Sequence, residues 1–129
     1  METRQALTKD KEILKNLWEN SFHYSKSFNE WYFDKAYDAD NTLITFDADK
    51  AVSSLSIMPQ TLNISGCEVK AAYIAGPAVL PECRNEENMR TLISEAIVSV
   101  SEKGYVLSTL IPPDYRFYER FGWRTAYSY

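Results

Sequence analysis

Leu7, Leu14, Leu17, Trp18 and Phe22 recur at helical spacing, and Thr8 stands where an N-cap would serve, so a first helix is expected over residues 7–22. Ser27-Phe28-Asn29-Glu30 then has the form of a capping box, after which Phe28, Trp31, Tyr32 and Ala36 share one face. A shorter second helix follows, ending near Tyr37. From Thr42 the texture changes to β-branched and apolar runs, TLITF, AVSSLSIMPQTLNI and EVKAAYIAGPAVL, parted by turn residues at Asp47-Ala48-Asp49-Lys50 and Ser65-Gly66. This is an antiparallel meander, with room for a strand break inside residues 51–64.

After Pro81, Met89, Leu92, Ile93, Ala96, Ile97 and Val100 step by three, one, three, one and three, the most regular amphipathic helix in the chain. Lys103-Gly104 closes it with a cation and a C′ glycine. YVLSTLI is then a continuous apolar run, as expected of a central strand covered on both faces. Strand, helix and strand make a βαβ unit with a right-handed crossover and parallel strands. Asp114 to Phe121 predict a short helix closed by Gly122, and WRTAYSY returns as a strand. The fold class is α+β, a mixed, mostly antiparallel sheet flanked by helices, in the order ααββββαβαβ.

Composition narrows the possibilities. A chain of 129 residues, 45% hydrophobic, fits one domain over residues 1–129 with a single substantial core. With 14 basic against 18 acidic residues, a net charge of -4 and a pI ≈ 5.0, there is no basic footprint for nucleic acid or an anionic membrane. Cys67 and Cys83 lack metal or redox spacing, and no metal site is expected. No apolar run spans a bilayer and the start METRQALTKDKE has no apolar signal region, so a cytoplasmic protein is expected.

The chemistry concentrates in the stretch PECRNEENMRTLI, residues 81–93. A helix beginning near Glu86 offers unpaired N–H groups and a partial positive charge, a natural seat for phosphate. Upstream, Gly76-Pro77 interrupts a strand, and because proline cannot donate to a ladder the strand must bulge or part from a neighbour. A gap between parallel strands exposes main-chain groups to an extended, amide-bearing ligand. An ordinary edge-strand proline is the plainer alternative.

This arrangement, with Pro81-Glu82-x-Arg84 before the helix and Phe117-Tyr118-Glu119-Arg120-Phe121-Gly122-Trp123 after it, resembles the GCN5-related N-acetyltransferases (GNAT) over nearly the whole chain. Asn88-Met89-Arg90 is similar to a motif of the enhanced-intracellular-survival (Eis) branch, which acetylates amines. The resemblance implies the acyl-CoA N-acyltransferase fold, acetyl-CoA as co-substrate and a small-molecule or peptide amine as acceptor, with a homodimer left open. Main-chain groups of Ala78, Val79 and Leu80 would pair with pantetheine. Arg84, Asn85, Glu86, Glu87, Asn88 and Met89 would cradle the pyrophosphate. Tyr118, with an ordinary pKa of about 10, would be the general acid for the departing thiolate. Phe22, Tyr24, Phe28, Trp31, Tyr32, Phe33 and Tyr37 would include the acceptor-side wall, Trp31 or Tyr32 being favoured; His23 is a minor candidate base.

The loop departs from the family's pattern, since Glu87 stands where a glycine would let phosphate approach the backbone. A carboxylate ~6 Å from a phosphate adds about 3 kcal/mol of repulsion at an effective dielectric of about 20. Asn85 as N-cap with Glu86 and Glu87 in the first turn is also a stable helix start that needs no ligand. Two readings therefore stand: an acetyl-CoA-dependent N-acetyltransferase working by direct attack, or a catalytically degenerate domain of the same fold serving as a ligand-binding or protein-interaction module.

Overall fold

The computed structural model describes residues 1–21, 25–111 and 115–126. In chain order the elements are β1 (Glu2–Gln5), α1 (Lys11–Ser21), α2 (Lys26–Trp31), β2 (Thr42–Asp47), β3 (Lys50–Ile64), β4 (Cys67–Val79), α3 (Glu86–Glu102), β5 (Leu107–Leu110) and α4 (Tyr115–Glu119). The sheet runs β1-β2-β3-β4-β5, antiparallel except for the parallel β4–β5 pair. It is the expected α+β class with a mixed, mostly antiparallel sheet.

Alternation along the strands divides the core into two layers. Ile44 and Val52 face one way and pack with Leu14, Leu17 and Trp18 from α1 and with Tyr32 and Phe33 just past α2. Leu43, Leu55, Ile57, Ala72 and Ile74 face the other way and meet Leu92, Ile93, Ala96 and Val100 of α3, with Tyr118 of α4. Ile97, counted on the core face from its spacing, is 38% exposed, because α3 turns it past the edge of the contact. No helix among the described residues is long and apolar enough to cross a membrane.

Several local expectations need correction. The N-terminal strand β1 was not foreseen, since ETRQ has no apolar alternation; it is held at the sheet edge by its ladder to β2 and a Thr3–Thr45 hydroxyl bond of 2.8 Å. Thr8 is not the cap of α1. Asp10 reaches back to accept from the Leu7 N–H at 2.7 Å after a single 3₁₀ turn, Thr8–Asp10. The cap of α2 is Ser25, whose Oγ accepts from Phe28 N at 3.1 Å, not Ser27. The 51–64 segment stays one strand, so three strands rather than four separate α2 from α3. Past α2 the chain makes a π-helical turn, Tyr32–Ala36, closed by Tyr37 N–H donating to Tyr32 O at 2.8 Å. The wider turn brings consecutive Tyr32 and Phe33 onto Trp18, one ring stacked at 4.3 Å and the other edge-on at 5.1 Å.

The apolar run around β5 is not a covered central strand. Among the described residues β5 pairs only with β4, and Val106 and Ile111 beside it are 71% and 58% exposed. Residues 123–126 are irregular rather than a returning strand, while 127–129 lie outside the described residues, as do Phe22, His23 and Tyr24.

Asp10 is the one deeply buried acid among the described residues and is gripped by Arg4 through bonds of 2.8 and 3.2 Å. Those bonds hold its carboxyl below the usual carboxylate range, outweighing the opposing effect of burial. A lowered folded-state pKa contributes stability above the unfolded value of about 3.9 and loses it as pH falls through the folded value. Asp10→Asn should therefore cost about 1–2 kcal/mol at neutral pH, with its deficit against wild type in thermal melts shrinking below about pH 4.

Candidate active site

The site begins with a surplus residue in β4. Ser54 pairs with Ala78 and Ser56 with Ala75, so Gly76 and Pro77 together oppose Leu55. This is the expected β-bulge, and it gives proline a place where no ladder bond is required. On its other side β4 is paired with β5 only from Ala71↔Leu107 to Ile74↔Leu110. The ladder ends at Ile74, where β5 itself ends, and the described chain supplies no β5 partner for residues 75–79.

A cavity of about 560 Å³ opens there, lined by Ser21, Pro77, Val79, Arg84, Asn85, Glu86, Met89, Phe117 and Arg120. It lies between the end of α1, the bulged end of β4, the start of α3 and the α4 segment. Asn85 caps α3 as expected, its Oδ1 accepting from Asn88 N at 2.8 Å. By helix geometry the N–H groups of Glu86 and Glu87 have no intrahelical acceptor, so the helix start offers donors beside the cavity.

The sequence-predicted residues divide. Val79, Arg84, Asn85, Glu86 and Met89 line the cavity; Ala78, Leu80, Glu87 and Asn88 do not. Leu80 N–H is committed to Val52 O at 3.0 Å. Asn88 Nδ2 donates to Cys83 O at 2.8 Å and so braces the turn Pro81–Cys83 before the helix. Arg84 is also a brace: Nε donates to Val79 O at 3.0 Å and Nη2 to Ser21 O at 2.7 Å, tying the end of α1 to the end of β4. The Val79 carbonyl is thereby shared with a side chain.

The two glutamates differ. Glu87 is exposed and away from the cavity wall, whereas Glu86 lines it and its Oε1 accepts from Arg120 at 3.0 Å and Arg90 at 3.2 Å. The carboxylate at the helix start is therefore neutralised by two guanidinium groups. Ser21, Pro77, Phe117 and Arg120 were not singled out from sequence as cavity residues. The motif FYERFGW holds two of them, Phe117 and Arg120.

Tyr118 is 7% exposed, its ring edge-on to Phe117 at 5.1 Å and to Trp123 at 6.1 Å, and burial raises its phenol pKa. Its ring is in the core, while Phe117 and Arg120 on either side of it in sequence line the cavity. Tyr32 is buried with its hydroxyl 3.2 Å from Ser56 Oγ; burial raises its pKa, and that of Tyr37 reaches about 12. Trp31 is 55% exposed and stands against Phe28 at 6.0 Å between ring centroids.

The same fold is found among known proteins. The family model for the acetyltransferase (GNAT) domain matches residues 2–126, and the chain belongs to that family. An uncharacterized N-acetyltransferase of Streptomyces avermitilis is 29% identical over 86 residues, which is 66% of this chain and 21% of that relative. The crystal structure of a GCN5-related N-acetyltransferase from Anabaena variabilis is similar with a TM-score of 0.82 and 26% identity, covering 92% of this chain and 30% of the other. A GNAT acetyltransferase of Brucella melitensis, crystallised in complex with acetyl-CoA, has a TM-score of 0.78 and 22% identity, with 96% of this chain and 82% of the other covered. The chain thus spans less than a third of the first two relatives.

Proposed function

We propose that this GNAT acetyltransferase domain uses acetyl-CoA to acetylate a primary amine by direct attack. The observation that carries the reading is the end of the β4–β5 ladder at Ile74, just before the Gly76-Pro77 bulge and beside a cavity that ends at the start of α3. Unpaired strand edge suits the amides of pantetheine, and helix donors with Arg120 suit the pyrophosphate. The amine nitrogen attacks the thioester carbonyl carbon, the C–S bond breaks, and the sulfur takes its proton from the Tyr118 hydroxyl. The amine's own proton leaves to solvent, and the Tyr118 phenolate takes a proton back from solvent. A phenol with an ordinary pKa of about 10 is protonated at neutral pH and can donate to the thiolate as the C–S bond breaks. The acceptor fits the amine-acetylating Eis branch through Asn88-Met89-Arg90, a short motif that supports the branch less firmly than the fold supports the family.

The degenerate binding module remains the second reading, favoured by one observation: Glu86 already holds a carboxylate at the phosphate seat. Isothermal titration separates the two. The transferase should bind acetyl-CoA with micromolar affinity, about -8 kcal/mol, and consume it when an amine is added; no saturation at millimolar acetyl-CoA sinks the reading.

A further inference from the structure

The start of α3 carries a carboxylate that a phosphate seat does not need. Glu86 in the first turn and Arg120 after α4 both line the cavity, and their 3.0 Å ion pair joins its two walls. Arg90, one turn along α3, grips the same Oε1 at 3.2 Å. The other arginine of the wall, Arg84, is engaged by two backbone carbonyls. Arg120 is different, because among the described residues its hydrogen bond and ion pair are with Glu86. A further wall residue, Ser21, keeps a buried Oγ with no hydrogen-bond partner among the described residues.

The geometry points to Glu86 as an internal competitor for a diphosphate-bearing ligand: its carboxylate occupies Arg120, and the ligand enters by taking that guanidinium over. The exchange is physically easy. Glu86 and Arg120 side chains are 58% and 63% exposed, so their pair is weakly held and screened by salt. Phosphate is the better guest for a guanidinium, accepting two parallel bonds and adding the donors of the helix start. When the ligand arrives, Arg90 retains the displaced carboxylate on the helix surface. Arg120 is then the residue that selects a phosphate-bearing acyl carrier, and Glu86 sets how tightly it is held. The identity of that carrier as acetyl-CoA rests on the acyl-CoA reading above; the competition itself does not.

The test compares wild type, Glu86→Gln, Arg120→Gln and the double variant by isothermal titration with CoA and, separately, with inorganic pyrophosphate, each checked for folding by circular dichroism. Removing one exposed ion pair and one repulsive charge should tighten CoA binding about three- to tenfold in Glu86→Gln. Arg120→Gln should weaken it, and the gain from Glu86→Gln should shrink, once Arg120 is absent, to the part due to lost repulsion alone. If wild type binds CoA and Glu86→Gln binds it no more tightly, or the gain is undiminished by loss of Arg120, the competitor is overturned while the acyl-CoA reading stands. If neither protein binds CoA but Glu86→Gln binds pyrophosphate more tightly than wild type, the competitor holds and the acyl-CoA reading fails. Silence toward both ligands in both proteins overturns both.

Discussion

Tyr118→Phe should lower the turnover of amine acetylation by about a hundredfold while leaving acetyl-CoA affinity nearly unchanged, the signature expected on losing a proton donor that acts in the transition state. The substitution removes one hydroxyl and keeps the ring that packs against Phe117, Trp123 and the α3 layer. Thermal stability should therefore stay within about 1 kcal/mol of wild type. Steady-state kinetics with whichever amine of a panel of diamines, aminoglycosides and lysine peptides the wild type turns over supply the readout. The position is suited to the role because Phe117 before it and Arg120 two residues on line the cavity, and because a phenol with an ordinary pKa of about 10 is protonated at neutral pH. An unchanged turnover would make Tyr118 a packing residue and leave leaving-group protonation to water.

The second large effect is on stability. Ile93 is fully buried at the centre of the layer between α3 and the sheet, among Leu43, Leu55, Ile57 and Ala72. Ile93→Ala removes three heavy atoms from a close-packed site and leaves a cavity, which should cost about 3 kcal/mol. For a chain of this size that lowers the melting temperature by about 10 °C. Ile97→Ala on the same helix is the matched control: with Ile97 38% exposed, its loss should stay below about 1 kcal/mol. Comparable losses at both positions would mean that α3 sits rotated from the placement described above.

That pair of isoleucines marks how far the sequence reaches. Spacing alone put both on one apolar stripe, because a 3.6-residue period cannot tell the middle of a contact from its rim. The α3 boundaries were legible, since Asn85 and Gly104 are local signals whose chemistry does not depend on the rest of the fold. Likewise the Ser65-Gly66 turn, where both residues have positive φ, follows from what glycine alone does cheaply. The edge strand β1 was not legible: only its partner β2 makes ETRQ a strand. Nor was the exposed setting of β5, whose apolar residues imply cover that the described chain does not provide.

In the candidate site the bulge was readable from Gly76-Pro77, whereas the division of labour among the charges was not. Arg84, promising as a phosphate ligand by position in the motif, bonds to carbonyls 5 and 63 residues away in sequence. Arg120 meets Glu86 across 34 residues. Such partners emerge only when distant segments are brought together, and spacing along the chain carries no trace of them.

The surplus backbone at Gly76-Pro77 makes the shape of this domain sensitive to length as well as to composition. A lineage that shed one residue there could keep every core contact on both sheet faces and still heal the ladder into a plain meander. Scaffold and opening are in that sense inherited separately, the first resting on dozens of interchangeable apolar side chains and the second on a single miscount between two strands.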